Sequence, residues 1–240
     1  RQRQMCIRAR PPRGPRHAPS RPGAAGGGGA RGVLAARGRG RSGRVRFMSP
    51  PGEEGFAGAR LMICECVLDG VDRAFALHVS PNQRVGTASC RPGPLLAGDT
   101  SITVTVRGHG GHASAPHQAT DPIPATAAII TALQTTVTRE VDVFDPAVLT
   151  IAHVVAGTTT NVIPETAFFE GTIRCISERT RAHIRKAVTR TIRGVAEAHG
   201  CTADIQLVDG YPVTLNDDGE AARFAEVCRA TLGEDGHRLM

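Results

Sequence analysis

The chain has 240 residues, no Trp and a single Tyr, so aliphatic side chains must build any core. It has no run of about 18 apolar residues, which argues against a membrane-spanning helix. The net charge of +7 is unevenly placed: residues 1–46 hold 13 Arg and no acid, leaving 16 basic residues against 22 acidic ones elsewhere.

The basic N-terminal stretch lacks the apolar run of a secretory signal. Seven Cys without regular spacing fit free thiols in a reducing cytoplasm better than a disulfide framework. Cys64-Glu65-Cys66 is too tight for a usual zinc knuckle or redox pair. Cytoplasmic localisation without a membrane partner is therefore expected.

Residues 1–42 are almost entirely Arg, Pro, Gly and Ala, which cannot offset ordering entropy by burial, so a disordered segment is expected. An Arg-rich arm for nucleic acid is the alternative. The segment has no interleaved aromatics to stack on bases, and no nucleic-acid partner is expected.

Arg44–Met48 alternates polar and apolar residues before Pro50-Pro51, which predicts a strand ending in a turn. Glu53–Val67 carries a helix-like apolar face, and Ala74–Val79 is a short apolar run, read as a buried strand. Thr100–Arg107 alternates strongly. Asp121–Val137 opens with Asp-Pro, a helix start. Ala147–Val155 and Thr166–Ile176 predict two more strands. Ser177 is a candidate N-cap for a helix to about His199, with Gly200 as its stop. A strand over Thr202–Val208 and a helix over Glu220–Leu232 follow. The order β-α-β-β-α-β between about residues 100 and 209 is the ferredoxin-like pattern, with edge strands open to a second subunit.

Four blocks occur in order: PPGEEGFAGARLM, VDRAFALHVSPNQRVGT, VTVRGHGGHASAPHQATDPI and TNVIPETAFFEGTIR. Together they resemble the metal-dependent amidohydrolases of the aminoacylase type, which include IAA-amino-acid, hippurate and N-acyl-L-amino-acid hydrolases. The resemblance covers roughly residues 43–240. It implies an α/β zinc-peptidase-like catalytic domain with an inserted ferredoxin-like dimerisation domain. The expected division is 1–42 disordered, 43–97 partial catalytic domain, 98–210 dimerisation domain or lid, and 211–240 the start of a returning catalytic segment.

The resemblance also implies roles. Glu53 matches the general base, and Glu54 and His78 match metal ligands. His112 in Gly-Gly-His matches the residue that reaches across a homodimer to polarise the scissile carbonyl. Asn161 and Arg174 match positions near the substrate carboxylate. Each has a plainer reading. Glu53-Glu54 could be acids at a helix start. His78 could be a core histidine, Asn161 a turn former and Arg174 a surface charge. His117 is expected to hold its loop by hydrogen bonds, and a metal site of His109, His112 and His117 is disfavoured. The family chemistry is hydrolysis of an N-acyl amino acid. A divalent metal, Zn or Mn and two ions in the family, activates water, and a carboxylate moves the proton.

The family's Cys-Gly-His-Asp-x-His run has no match in residues 1–46. Only Glu54 and His78 remain of five ligand positions, whereas catalytic zinc typically takes three protein ligands. Weak metal binding and little activity by these residues alone are expected. The Arg/Pro/Gly/Ala composition of residues 1–42 also suits GC-rich DNA read out of frame, on a truncated gene. A non-enzymatic dimerisation module is the second functional reading.

Overall fold

The computed structural model describes Gln4–Met5, residues 44–50 and residues 58–240. The chain folds as two units, Arg1–Gln83 and Arg84–Met240. The stretch expected as 43–97 is thereby divided, and residues 84–97 lie in the second unit.

In the first unit β1 (Gln4–Met5) pairs in parallel with β2 (Arg44–Val45). The predicted strand is thus shorter than expected, with Phe47 in an isolated bridge. Helix α1 (Gly58–Cys64) is the described part of the helix expected over 53–67. It ends in turns closed by Cys66 N–H to Ile63 O at 3.0 Å and Val67 N–H to Met62 O at 3.1 Å. Cys66 has φ 61°, a left-handed conformation uncommon for a residue with a Cβ. The Arg46 guanidinium donates to the Val67 carbonyl.

Residues 74–79 do not form the buried strand expected of them; they are irregular and exposed, with Leu77 at 78%. A buried strand needs hydrogen-bonding neighbours on its edges and apolar layers on its faces. Among the described residues none pairs with this run.

The second unit is dominated by a four-stranded antiparallel sheet. Its strands are β5 (Gly98–Arg107), β7 (Ala147–Ala156), β9 (Thr166–Cys175) and β10 (Thr202–Asp209), in the spatial order β10-β5-β9-β7. Helices α2 (Pro122–Glu140) and α3 (Glu178–Ala198) make the connections. This is the ferredoxin-like arrangement, with both helices on one face.

The alternation read in the sequence sets that face. Ile102, Val104 and Val106 on β5 and Phe169, Ile173 and Cys175 on β9 point inward. They join Ile129 and Leu133 of α2 and Ile184, Val188 and Ile192 of α3 in one core. The outer face is mostly polar, including Ser101, Thr103, Glu170 and Thr172.

Local chemistry sets the helix ends. The Asp121 carboxylate accepts from Ile123 N–H at 2.9 Å, and Pro122 and Pro124 occupy the first turn, where no intrahelical donor is needed. Ser177 Oγ accepts from Thr180 N–H at 3.1 Å. Gly200, at φ 71°, turns the chain out of α3. The Asp145 carboxylate accepts from Ser177 Oγ at 2.7 Å, Thr180 Oγ1 at 2.7 Å and Arg179 Nη2 at 3.0 Å, tying the loop before β7 to the start of α3.

Strand β7 carries a bulge. Ile151 pairs with Gly171 and His153 with Glu170, so Ala152 has no partner across the ladder. A Cβ on Gly171 would lie 2.0 Å from Thr150 O, so only glycine lets the two backbones approach this closely.

The ends of the sheet domain are clasped together. The buried Arg181 side chain donates to Thr100 Oγ1 at 3.2 Å, Glu178 Oε1 at 3.1 Å and Tyr211 O at 3.4 Å, and pairs with Asp209 at 3.3 Å. Tyr211 N–H donates to Asp99 Oδ1 at 3.1 Å. Beyond this clasp, β4 (Gly93–Leu96) pairs with β11 (Thr214–Asn216), and β3 (Ala88–Ser89) with β12 (His237–Arg238). These pairs, with helix α4 (Asp218–Leu232), join the segments before and after the sheet domain.

Candidate active site

The loop after β5 is shaped by glycines that the packing requires. A Cβ on Gly108 would meet Thr120 O at 2.0 Å, and one on Gly111 would meet the Ala119 Cβ at 2.8 Å. His109 and Thr120 form a bridge with reciprocal backbone bonds of 2.9 Å. The chain then forms β6 (Gly111–His112), which pairs antiparallel with β8 (Val162–Ile163), placing His112 opposite Val162. Ala113 N–H donates to Asn161 O at 3.0 Å. Two segments about 50 residues apart in sequence therefore run side by side, with the backbone of Asn161 against Ala113, the residue after His112.

The His112 and Asn161 side chains are exposed. Asn161 Oδ1 accepts from Thr159 Oγ1 at 3.1 Å, which orients its amide. His112 Nδ1 lies 2.7 Å from Ser114 Oγ and accepts from Ser114 N–H at 3.2 Å. Ala115 N–H closes the turn on His112 O at 2.9 Å. Sequence reading missed Ser114. A serine two residues after a histidine in a glycine-rich loop is a signal for such local bonding.

Arg174 is not brought to this pair. It is exposed near the far end of β9, eight residues beyond Thr166, which at about 3.3 Å per residue is roughly 26 Å along the strand. A single small substrate cannot touch all three side chains of one copy. His117 sits in a short 3-10 turn, and its ring has no bond among the described residues; backbone bonds hold the loop instead.

His78 lies in the first unit on the exposed irregular segment. Glu53 and Glu54 lie outside the described residues. Among the described residues no three His, Cys, Asp or Glu side chains are grouped to hold a metal ion. The described donors therefore do not fit a catalytic metal centre. A groove of about 690 Å³ between α3 and β10, lined by Arg185, Lys186, Arg190, Arg193 and Leu207, contains none of the candidate residues.

Residues 96–199 match the peptidase dimerisation domain of the M20 type. An N-acetyldiaminopimelate deacetylase of Lactiplantibacillus plantarum is 38% identical over 205 residues, covering 79% of this chain and 53% of that protein. The N-acetylcysteine deacetylase of Bacillus subtilis is 37% identical over 191 residues, covering 80% and 50%. The chain carries the M20 dimerisation domain and is a homologue of these deacetylases. Among solved structures, the Bacillus subtilis YXEP protein, a dinuclear metal binding peptidase of the M20 family, superposes with a TM-score of 0.69 at 31% identity, over 88% of this chain and 52% of that one. The chain thus spans about half the length of the relatives it matches. Among the described residues no helix is long and apolar enough to cross a membrane.

Proposed function

We propose that this chain serves a metal-dependent amidohydrolase that cleaves the acyl amide bond of N-acyl amino acids. The observation that supports this reading is the β6–β8 pair, which runs the backbone segments of His112 and Asn161 beside one another, with both side chains exposed. The deacetylase relatives support the substrate class. An exposed imidazole N–H can donate to a carbonyl oxygen as negative charge builds on it. Arg174, remote from that pair, suits a substrate carboxylate at a different site, where a guanidinium binds in bidentate fashion.

The lid is assigned to residues 98–210, and a homodimer is proposed through it. Of its two edges, β7 is the better suited, because Val148, Val154 and Val155 on it are each more than half exposed. His112 would then act on a substrate held by the second copy. Glu53 is assigned as general base, and Glu54 and His78 as ligands of a Zn or Mn ion. Two donors fall short of a catalytic centre, so these 240 residues alone are expected to bind metal weakly and turn over little.

The substrate reading is testable without the metal. Titration of an N-acetyl amino acid should shift the His112 and Asn161 resonances, whereas acetate alone should not. Absence of any such shift rejects the assignment. Calorimetric titration with Zn or Mn should show no tight stoichiometric site; a tight site would overturn the ligand count. Sedimentation should give a dimer.

A further inference from the structure

The two hydrogen bonds at His112 Nδ1 fix more than the position of the ring. Ser114 N–H is a backbone amide and can only donate, and it reaches Nδ1 at 3.2 Å. Nδ1 must therefore present its lone pair. The Ser114 hydroxyl can donate or accept, but beside an unprotonated Nδ1 at 2.7 Å it can only donate. In a neutral imidazole one nitrogen carries the proton when the other does not. We infer that Ser114 is a positioning residue that locks neutral His112 in the Nε2–H tautomer, with that N–H aimed outward as the donor to a substrate carbonyl. This rests on the amidohydrolase reading for its purpose, but not for its geometry.

The surrounding chain makes the lock rigid. Every N–H from Ala113 to Ala115 has a partner: Ala113 bonds to Asn161 O, Ser114 to Nδ1 and Ala115 to His112 O. Rotating the ring by a half turn would exchange its nitrogen for a carbon and leave Ser114 N–H unsatisfied. Nε2 has no partner among the described residues, and the residue is exposed, so its proton is available to a ligand. The other tautomer would turn a lone pair toward the incoming carbonyl oxygen, which would repel it. A hydroxyl and a backbone amide thus convert a ring with two equivalent-looking nitrogens into a donor of one direction, prepared before the substrate arrives.

The test uses the full 240-residue chain with ¹⁵N-labelled histidine, at a pH where the ring is neutral. Long-range proton–nitrogen correlation spectra distinguish the two tautomers directly. Native His112 should be the Nε2–H form; a predominant Nδ1–H form overturns the inference. Ser114→Ala removes one of two donors and should move the tautomer ratio toward Nδ1–H by roughly fivefold, the worth of one ordinary hydrogen bond. Ser114→Thr keeps the hydroxyl and should restore the native ratio. A Ser114→Ala protein with native amide dispersion and an unchanged ratio would refute the positioning role. Because these spectra need no substrate, they stand apart from the function itself. If the Nε2–H form is found but N-acetyl amino acids leave the His112 resonances unmoved, the tautomer lock survives and the amidohydrolase reading fails.

Discussion

Strand β5 has a hydrogen-bonded neighbour on each side and two helices over one face. Leu77 and Val79, no less apolar than Ile102 or Val104, stand in an irregular segment with most of their surface open. The difference lies in what surrounds each run. Apolar residues gain roughly 25 cal/mol for each Å² they remove from water, and only β5 has layers against which to remove it. A short apolar run is a request for neighbours, and residues 98–210 answer their own requests from within.

The contrast should appear first in stability. Phe169 is fully buried in the sheet core, and Phe169→Ala should cost about 3–5 kcal/mol. Urea unfolding followed by circular dichroism would show it; a loss below 1 kcal/mol would mean that the domain is not packed as described. Breaking the clasp comes next. Arg181→Met leaves Thr100, Glu178 and Asp209 without their shared donor, and should cost about 2 kcal/mol, tempered because both acids are partly exposed.

Asp145→Asn should cost about 1 kcal/mol and also change the pH dependence. The Ser177 and Thr180 hydroxyls, ahead of Arg179, hold the Asp145 carboxyl below the usual aspartate range. A carboxyl lowered by folding stabilises above the unfolded value, and that stability is lost as the pH falls through the folded value. The variant should therefore show a shallower acid limb in stability against pH. An unchanged limb would remove Asp145 from that account.

On the other side of the comparison, Leu77→Ser should change stability by less than about 0.5 kcal/mol. A large loss would reveal a partner for residues 74–79. Thiol labelling gives the finest contrast. Cys64 and Cys66 are exposed, whereas Cys175, Cys201 and Cys228 are buried, and burial pushes the Cys175 thiol up to about 11. Iodoacetamide at neutral pH should modify Cys64 and Cys66 and spare the other three, with Cys66 slowed because the Asp69 carboxylate raises its thiol. Mass spectrometry of peptides reads each site; rapid labelling of Cys175 would contradict the closed core.

Most of the sheet domain was legible because its elements carry their own signals. Alternation marked Thr100–Arg107 within two residues of β5, and the Asp121-Pro122 opening and the Ser177 cap marked the starts of α2 and α3. The short pairings β3–β12, β4–β11 and β6–β8 were not legible, since two to four residues show no period. They matter most for the site, because β6–β8 brings the segment of Asn161 against the loop of His112. Separation along one strand was equally invisible: Asn161 and Arg174 are 13 positions apart in sequence, yet the strand carries Arg174 away from the loop. The run at 74–79 misled because apolar composition records what a segment can bury, not whether anything covers it.

Whether a residue in the second half of β7 faces the helices or the open side is a question of parity, and Ala152 is the odd number that changes it. Before the bulge, Leu149 opposes Ile173 on the helix side; after it, His153 opposes Glu170 on the open face, 3.1 Å away. Counting by twos from Leu149 would have put His153 inside. Deleting Ala152 would make the ladder continuous, with Ile151 opposite Gly171 and His153 still opposite Glu170 on the open face. One unpaired alanine is thus a sign change written into the strand, and Gly171 is the space left for it.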